Sequence, residues 1–117
     1  MLVLSTCKGI EVININTIIR VEAISNYSKL FFSNGKTLVV AKVLAWFEDK
    51  LPGWLFVRVH RSHIINLRYM RSWCNNRISR AILRDNTVIE ISRRRKKKVM
   101  EILKDLSHEI LLTQLAA

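Results

Sequence analysis

Glycine, proline and cysteine are scarce here, at three, one and two residues of 117. So few glycines leave little material for the loops that cradle nucleotide phosphates, and neither G-x-G-x-x-G nor the P-loop pattern occurs. G-x-S-x-G and H-E-x-x-H are also missing, and paired carboxylates set around a Ser, Cys or His nucleophile cannot be picked out, so an enzyme is not expected. Cys7 and Cys74 lie far apart with no C-x-x-C, which excludes a zinc knuckle and a disulfide framework; two reduced thiols are expected, at least one of them packed. His60 and His63 are three residues apart but have no third ligand nearby, so no metal and no other cofactor is expected. No apolar run reaches the roughly 18 residues that span a bilayer, and residues 1–9 lack the layout of a secretory signal. The expectation is a soluble, cytoplasmic chain without a membrane partner. With no repeat and no Pro/Gly/Ser linker, residues 1–117 read as one domain, and a 50% hydrophobic content is enough to build its core.

Acidic residues are also few, nine against twenty Lys and Arg, for a formal net charge of +11. The imbalance is confined to residues 54–98, where thirteen cations (Arg58, Arg61, Arg68, Arg71, Arg77, Arg80, Arg84, Arg93 to Arg95 and Lys96 to Lys98) face only Asp85 and Glu90. Seven basic and seven acidic residues elsewhere cancel. Crowded like charge weakens a compact fold through self-repulsion, so it points to an anionic partner, nucleic acid ahead of a membrane surface. A merely solvated basic face is the competing explanation.

The periodicity is mostly that of strands. Residues 10–24 alternate imperfectly and favour β-branched types, as in Ile18-Ile19-Arg20-Val21. Leu30-Phe31-Phe32 and Leu38-Val39-Val40 flank Ser33-Asn34-Gly35-Lys36, which predicts a hairpin closed by a type I′ turn at Asn34-Gly35. Residues 43–51 place Val43, Leu44, Phe47 and Leu51 on one helical face, and Pro52-Gly53 ends that helix. Strands follow at residues 56–59, 70–73, 78–83 and 87–91, the last three forming an antiparallel meander with turns at Asn75-Asn76 and Asp85-Asn86. After Ser92, a candidate N-cap whose hydroxyl accepts from an early N–H, the apolar residues Val99, Ile102, Leu103, Leu106 and Ile110 return to helical spacing. Residues 111–117 are expected to extend this helix and then fray, packing on the domain or serving a dimer contact.

Two segments carry candidate chemistry. Ser92 to Lys98 places six cations where a helix begins, against the macrodipole, at a cost on the order of 0.3–1 kcal/mol each at exposed sites. A phosphate there would meet free backbone N–H groups, the positive helix end and several guanidinium groups together. Arg93, Arg94, Arg95 and Lys97 are the candidates, with a nuclear-targeting tract or a solvated helix face as the alternatives. His60-Arg61-Ser62 follows a strand, where a loop presents side chains from a rigid base. Arg61 has the fork that donates bidentately to guanine, while His60 and Ser62 can donate to phosphate or a base edge, or serve structure alone.

The segment Phe56-Val57-Arg58-Val59-His60-Arg61-Ser62-His63-Ile64-Ile65-Asn66 resembles the F-x-R-V-H-R-S-Y-I-V-N signature of LytTR domains. Ile19-Arg20-Val21-Glu22-Ala23 with Asn26-Tyr27, the Asn34-Gly35 hairpin, the 43–51 helix and Ile91-Ser92-Arg93-Arg94 fall in the family's order, so the resemblance covers residues 8–104 and leaves 105–117 as a C-terminal helical extension. His63 stands where the family usually has Tyr, and Ile65 where it has Val. The resemblance implies a mainly β fold of elongated antiparallel sheets with short helices and a C-terminal helix, whose loops enter successive major grooves. By position it implies three contact surfaces: Asn26, Tyr27, Ser28 and Lys29; His60 and Arg61; and Arg93 with Arg94. Asn66 would hold its loop through hydrogen bonds to backbone. The implied function is that of a transcription regulator reading duplex DNA, as a homodimer on repeated sites. Members usually carry an upstream receiver domain or membrane segment, and neither pattern occurs in these 117 residues. Two alternatives stay open: a protein-interaction module that sequesters a full-length regulator, and a general RNA-binding protein, for which Tyr27 is the one evident stacking residue in a loop.

Overall fold

The computed structural model describes residues 1–116, with side chains described as far as Leu106. Ten strands run β1 (Leu2–Thr6), β2 (Gly9–Ile13), β3 (Ile18–Ile24), β4 (Tyr27–Phe32), β5 (Thr37–Val40), β6 (Phe56–His60), β7 (His63–Asn66), β8 (Met70–Asn75), β9 (Ser79–Leu83) and β10 (Val88–Ile91). Helix α1 (Leu44–Lys50) separates β5 from β6, and α2 (Arg93–Ala116) follows β10. The strands form three antiparallel sheets: the pair β1-β2, the central sheet β5-β4-β3-β7-β6 and the meander β10-β9-β8. The molecule measures 45 × 38 × 24 Å.

The central sheet is sandwiched between two cores, because its inner strands are apolar on both faces. Val21, Leu30, Phe56 and Ile64 bury one face against Leu2 and Leu4 of β1 and against Leu44 and Phe47 of α1. Ile19, Val57, Val59 and Ile65 bury the other against Ala81, Leu83, Ile89 and Ile91 of the meander and Val99 of α2. A register shift between Ile18 and Arg20 breaks the two-residue alternation, so that Ile19 and Val21 lie in opposite cores while Ile18 and Val21 share one. Asn66 is fully buried and satisfied, its Nδ2 donating to the Ile18 carbonyl at 3.0 Å and its Oδ1 accepting from the Arg68 N–H at 3.0 Å.

Several expectations need correction. Residues 2–6 form a strand that the sequence reading did not contain. The β4–β5 hairpin forms where Asn34-Gly35 placed it, but the turn is not type I′. Gly35 N–H donates to the Phe32 carbonyl at 3.0 Å, and Gly35 (φ 85) is the sole positive-φ residue of that loop. A type I turn closed by a glycine bulge has this form, whereas type I′ would need Asn34 at positive φ as well. Neither cysteine is packed: Cys7 lies between β1 and β2, Cys74 lies on the edge strand β8, and both are exposed free thiols. Ser92 does occupy the N-cap, its carbonyl accepting from Arg95 and Lys96 N–H at 3.1 Å, but among the described residues its hydroxyl makes no capping bond. The helix runs on to Ala116; the packing expected of Ile110 and of residues 111–117 lies outside the described side chains. Among the described residues no helix is long and apolar enough to cross a membrane.

Candidate nucleic-acid interface

Strand register decides which turns are neighbours. Glu22 of β3 pairs with His63 of β7, so the β3–β4 turn at Ser25-Asn26 and the β6–β7 turn at Arg61-Ser62 project from the same end of the central sheet. The Ser92 N–H donates to the Val59 carbonyl at 2.8 Å, which brings the first turn of α2 to that end too. Asn26, Tyr27, Arg61, Arg93, Arg94 and Lys97 are all exposed there. Three segments separated by more than thirty residues in sequence thus form one polar, basic rim.

Within the rim, the β6–β7 turn is held from three sides. Arg58 Nη2 donates to the Arg61 carbonyl at 2.7 Å, and the Ala23 N–H donates to the Ser62 carbonyl at 2.8 Å. His60 Nδ1 accepts from the Ser62 N–H at 3.3 Å and lies 2.8 Å from the Ser62 hydroxyl, which itself lies 3.0 Å from His63 Nδ1. One hydroxyl hydrogen cannot serve both rings. Because His60 Nδ1 is already an acceptor, the bonding pattern assigns that hydrogen to His60 and makes His63 Nδ1 a donor to Ser62. His60, itself half-buried, then carries its proton on Nε2, and a register shift between Arg58 and His60 lies at the end of its strand. His63 Nε2 lies 3.5 Å from Glu22, whose other oxygen lies 3.5 Å from Arg20. Burial pushes the His63 imidazole below its ordinary 6.5; the Glu22 carboxylate opposes this, and Arg20 and His60 reinforce it.

Some predicted contact residues do not stand free in the rim. Ser28 is completely buried, its hydroxyl donating to the Lys42 carbonyl at 2.7 Å, so it is no surface contact. It alternates with Leu30 and Phe32, which face the core, and strand geometry carries it inward with them. Ser62 is half-buried with its hydroxyl engaged by two imidazoles, which makes it a support for His60 rather than a free donor. Lys29 is half-buried, its ammonium 5.2 Å from the Phe31 ring centre. Arg95 is half-buried and turned toward α1, 3.8 Å from Glu48.

Nor do all thirteen cations share one surface. Arg68, Arg71 and Arg84 sit at the opposite end of the strands, where Arg84 Nε donates to the Arg68 carbonyl at 3.2 Å and Arg71 Nη1 to Asn86 Oδ1 at 2.7 Å. Arg77, one of the thirteen cations but not among the expected contact residues, belongs to the rim: Ile91 pairs with Ser79, so the β8–β9 turn reaches the start of α2. There Arg77, Arg93 and Lys96 line a cleft of about 240 Å³ that also borders Glu90. Its signal was a basic residue directly after the Asn75-Asn76 turn pair.

The family model described as the LytTr DNA-binding domain matches residues 8–104. Over 67 residues the chain is 34% identical to the sensory transduction protein LytT of Bacillus subtilis (strain 168), a stretch that is 55% of this chain and 27% of that protein. The chain therefore corresponds to about a quarter of that relative's length. A LytTr DNA-binding domain from Bacillus cereus superposes with a TM-score of 0.74 at 19% sequence identity, over 87% of this chain and 94% of that one, a likeness of fold. With the family's model covering most of its length, this chain belongs to the LytTR family of DNA-binding domains.

Proposed function

We propose that the chain binds duplex DNA sequence-specifically, with loops of the rim in the major groove, and acts as a cytoplasmic transcription regulator. The observation that carries this is the convergence of the β3–β4 turn, the β6–β7 turn and the first turn of α2 at one end of the sheets. Arg61, exposed on a turn pinned by Arg58 and Ala23, is the proposed base-reading arginine, with a guanidinium fork that matches guanine O6 and N7. His60, donating through Nε2, Asn26 and Tyr27 supply further polar contacts, and Arg93, Arg94, Lys97 and Arg77 meet phosphate. Two copies on a repeated site are part of the same proposal.

Titrating salt against duplex affinity tests the reading: log K should fall with log salt at about −0.9 per phosphate neutralised. Arg61→Ala should relax preference at one position by about 1–3 kcal/mol, while Lys97→Ala weakens all sequences alike and reduces the salt slope by about one. Equal losses on every sequence for both variants would remove Arg61 from base reading. Selection from random duplexes would reveal whether the preferred site is repeated.

The RNA alternative draws on Tyr27, 51% exposed at the start of β4. Phe31, on the same face of that strand, already carries the Arg20 guanidinium 3.5 Å from its ring centre, so its ring is not free for a base on that side. Competition between duplex DNA and single-stranded RNA separates the two.

A further inference from the structure

We propose that Glu48 is a positioning residue that fixes the β6–β7 turn relative to the first turn of α2, and thereby sets base discrimination without touching DNA. The inference rests on the reading of Arg61 and of the α2 terminus given above.

Glu48 projects from α1, and its carboxylate is shared by two arginines. Arg58 Nη1 of β6 donates to Oε1 at 3.2 Å, while Arg95 Nη1 of α2 lies 3.8 Å from Oε2. Through its other terminal nitrogen, Arg58 donates to the Arg61 carbonyl at 2.7 Å. Glu48 therefore connects the backbone of the proposed base-reading turn with the helical turn that carries Arg93 and Arg94. The arginine side chains are 19% and 25% exposed, little enough for their mutual repulsion to matter once the shared anion is gone. Among the described residues the buried Nε of Arg58 has no partner, and its terminal nitrogens make its anchoring bonds.

The sign of the charge separates this role from ordinary electrostatics. An acid beside a DNA-binding rim weakens binding to every duplex, so removing it should strengthen binding unless it positions something. Glu48 is also not what holds α1 in place, since Leu44 and Phe47 pack that helix into the core. Glu48→Gln should therefore fold.

The experiment uses the full chain, a duplex recovered by selection from a random pool, and the same duplex with its central bases scrambled. Asp49→Asn is the control: it removes an equal charge from the neighbouring position, where the side chain is 79% exposed and 3.9 Å from Lys50. D49N should strengthen binding to both duplexes by one factor and leave their ratio unchanged. E48Q should strengthen binding to the scrambled duplex similarly but lower the specific-to-scrambled ratio about tenfold, the scale of one lost base contact. An E48Q ratio equal to that of D49N overturns the positioning role, even if the melting temperature drops. A wild-type chain that enriches no duplex overturns base reading itself, and this inference with it, before any variant is compared.

Discussion

Ser62 has one hydroxyl hydrogen and stands between two imidazoles, which gives His63 an influence on the rim that its half-buried position would not suggest. Neutral His63 donates through Nδ1 and turns a bare Nε2 toward Glu22; protonated, it would donate at both ends. Since burial holds its folded-state titration below the ordinary 6.5, the unfolded chain takes up a proton first as pH falls. Stability is therefore fully present above about 6.5 and declines as pH drops from there through the folded-state value. Urea midpoints at neutral and mildly acidic pH should show this decline in the wild type and a smaller one in His63→Tyr, the residue the signature usually has. Equal declines in both would assign the proton uptake to another group. At this scale the sequence was legible where chemistry and position coincide, as for Arg61 in a turn and Asn66 bonded to backbone. It misled at Ser28, where a hydroxyl in a contact segment looked available although its two-residue spacing from Leu30 marked it as inward-facing.

Helix α2 begins with six consecutive cations and has no acid in its first turn, so charge opposes its own dipole at the end that faces the rim. Arg93 and Arg94 are exposed and lack a carboxylate partner among the ion pairs of the described residues. Replacing both by Gln should stabilise the fold, by on the order of 0.3–1 kcal/mol per site, and weaken duplex binding in the same buffer. Thermal melting and a binding isotherm measured together check this; a melting temperature that falls along with affinity would mean the arginines serve the fold. Elements with a strong period were readable, notably α1, the meander and the β4–β5 hairpin. Strand β1 was not, because Leu2 and Leu4 face the core while the outward Val3 is also apolar and blurs the alternation. The hairpin's turn type escaped as well, since Asn-Gly suits two loop geometries and the pairing of Phe31 with Thr37 selects the longer.

Over the whole molecule, the excess charge correctly indicated an anionic partner class but did not locate one patch, because a count along the sequence cannot tell the two ends of a strand apart. Topology does so, placing Arg61, Arg77 and Arg93 at one end and Arg68, Arg71 and Arg84 at the other. The rim also depends on both cores, since β6 and β7 lie between them and adjacent residues Ile64 and Ile65 are buried in opposite ones. Losing either side would expose the apolar sheet face that packs on it, so the two cores are expected to unfold together. Phe47→Ala should cost about 3–5 kcal/mol and Leu83→Ala about 2–5 kcal/mol, although they sit in different cores, and each should shift one common transition. Trp46 packs against the first core and Trp73 against the second, so variants retaining one or the other report the two sides separately. Their fluorescence midpoints in urea should coincide with each other and with the loss of duplex binding. If Trp46 and Trp73 melt at different denaturant concentrations, the two cores are separate cooperative units, and binding should then follow the one that holds β6 against α2.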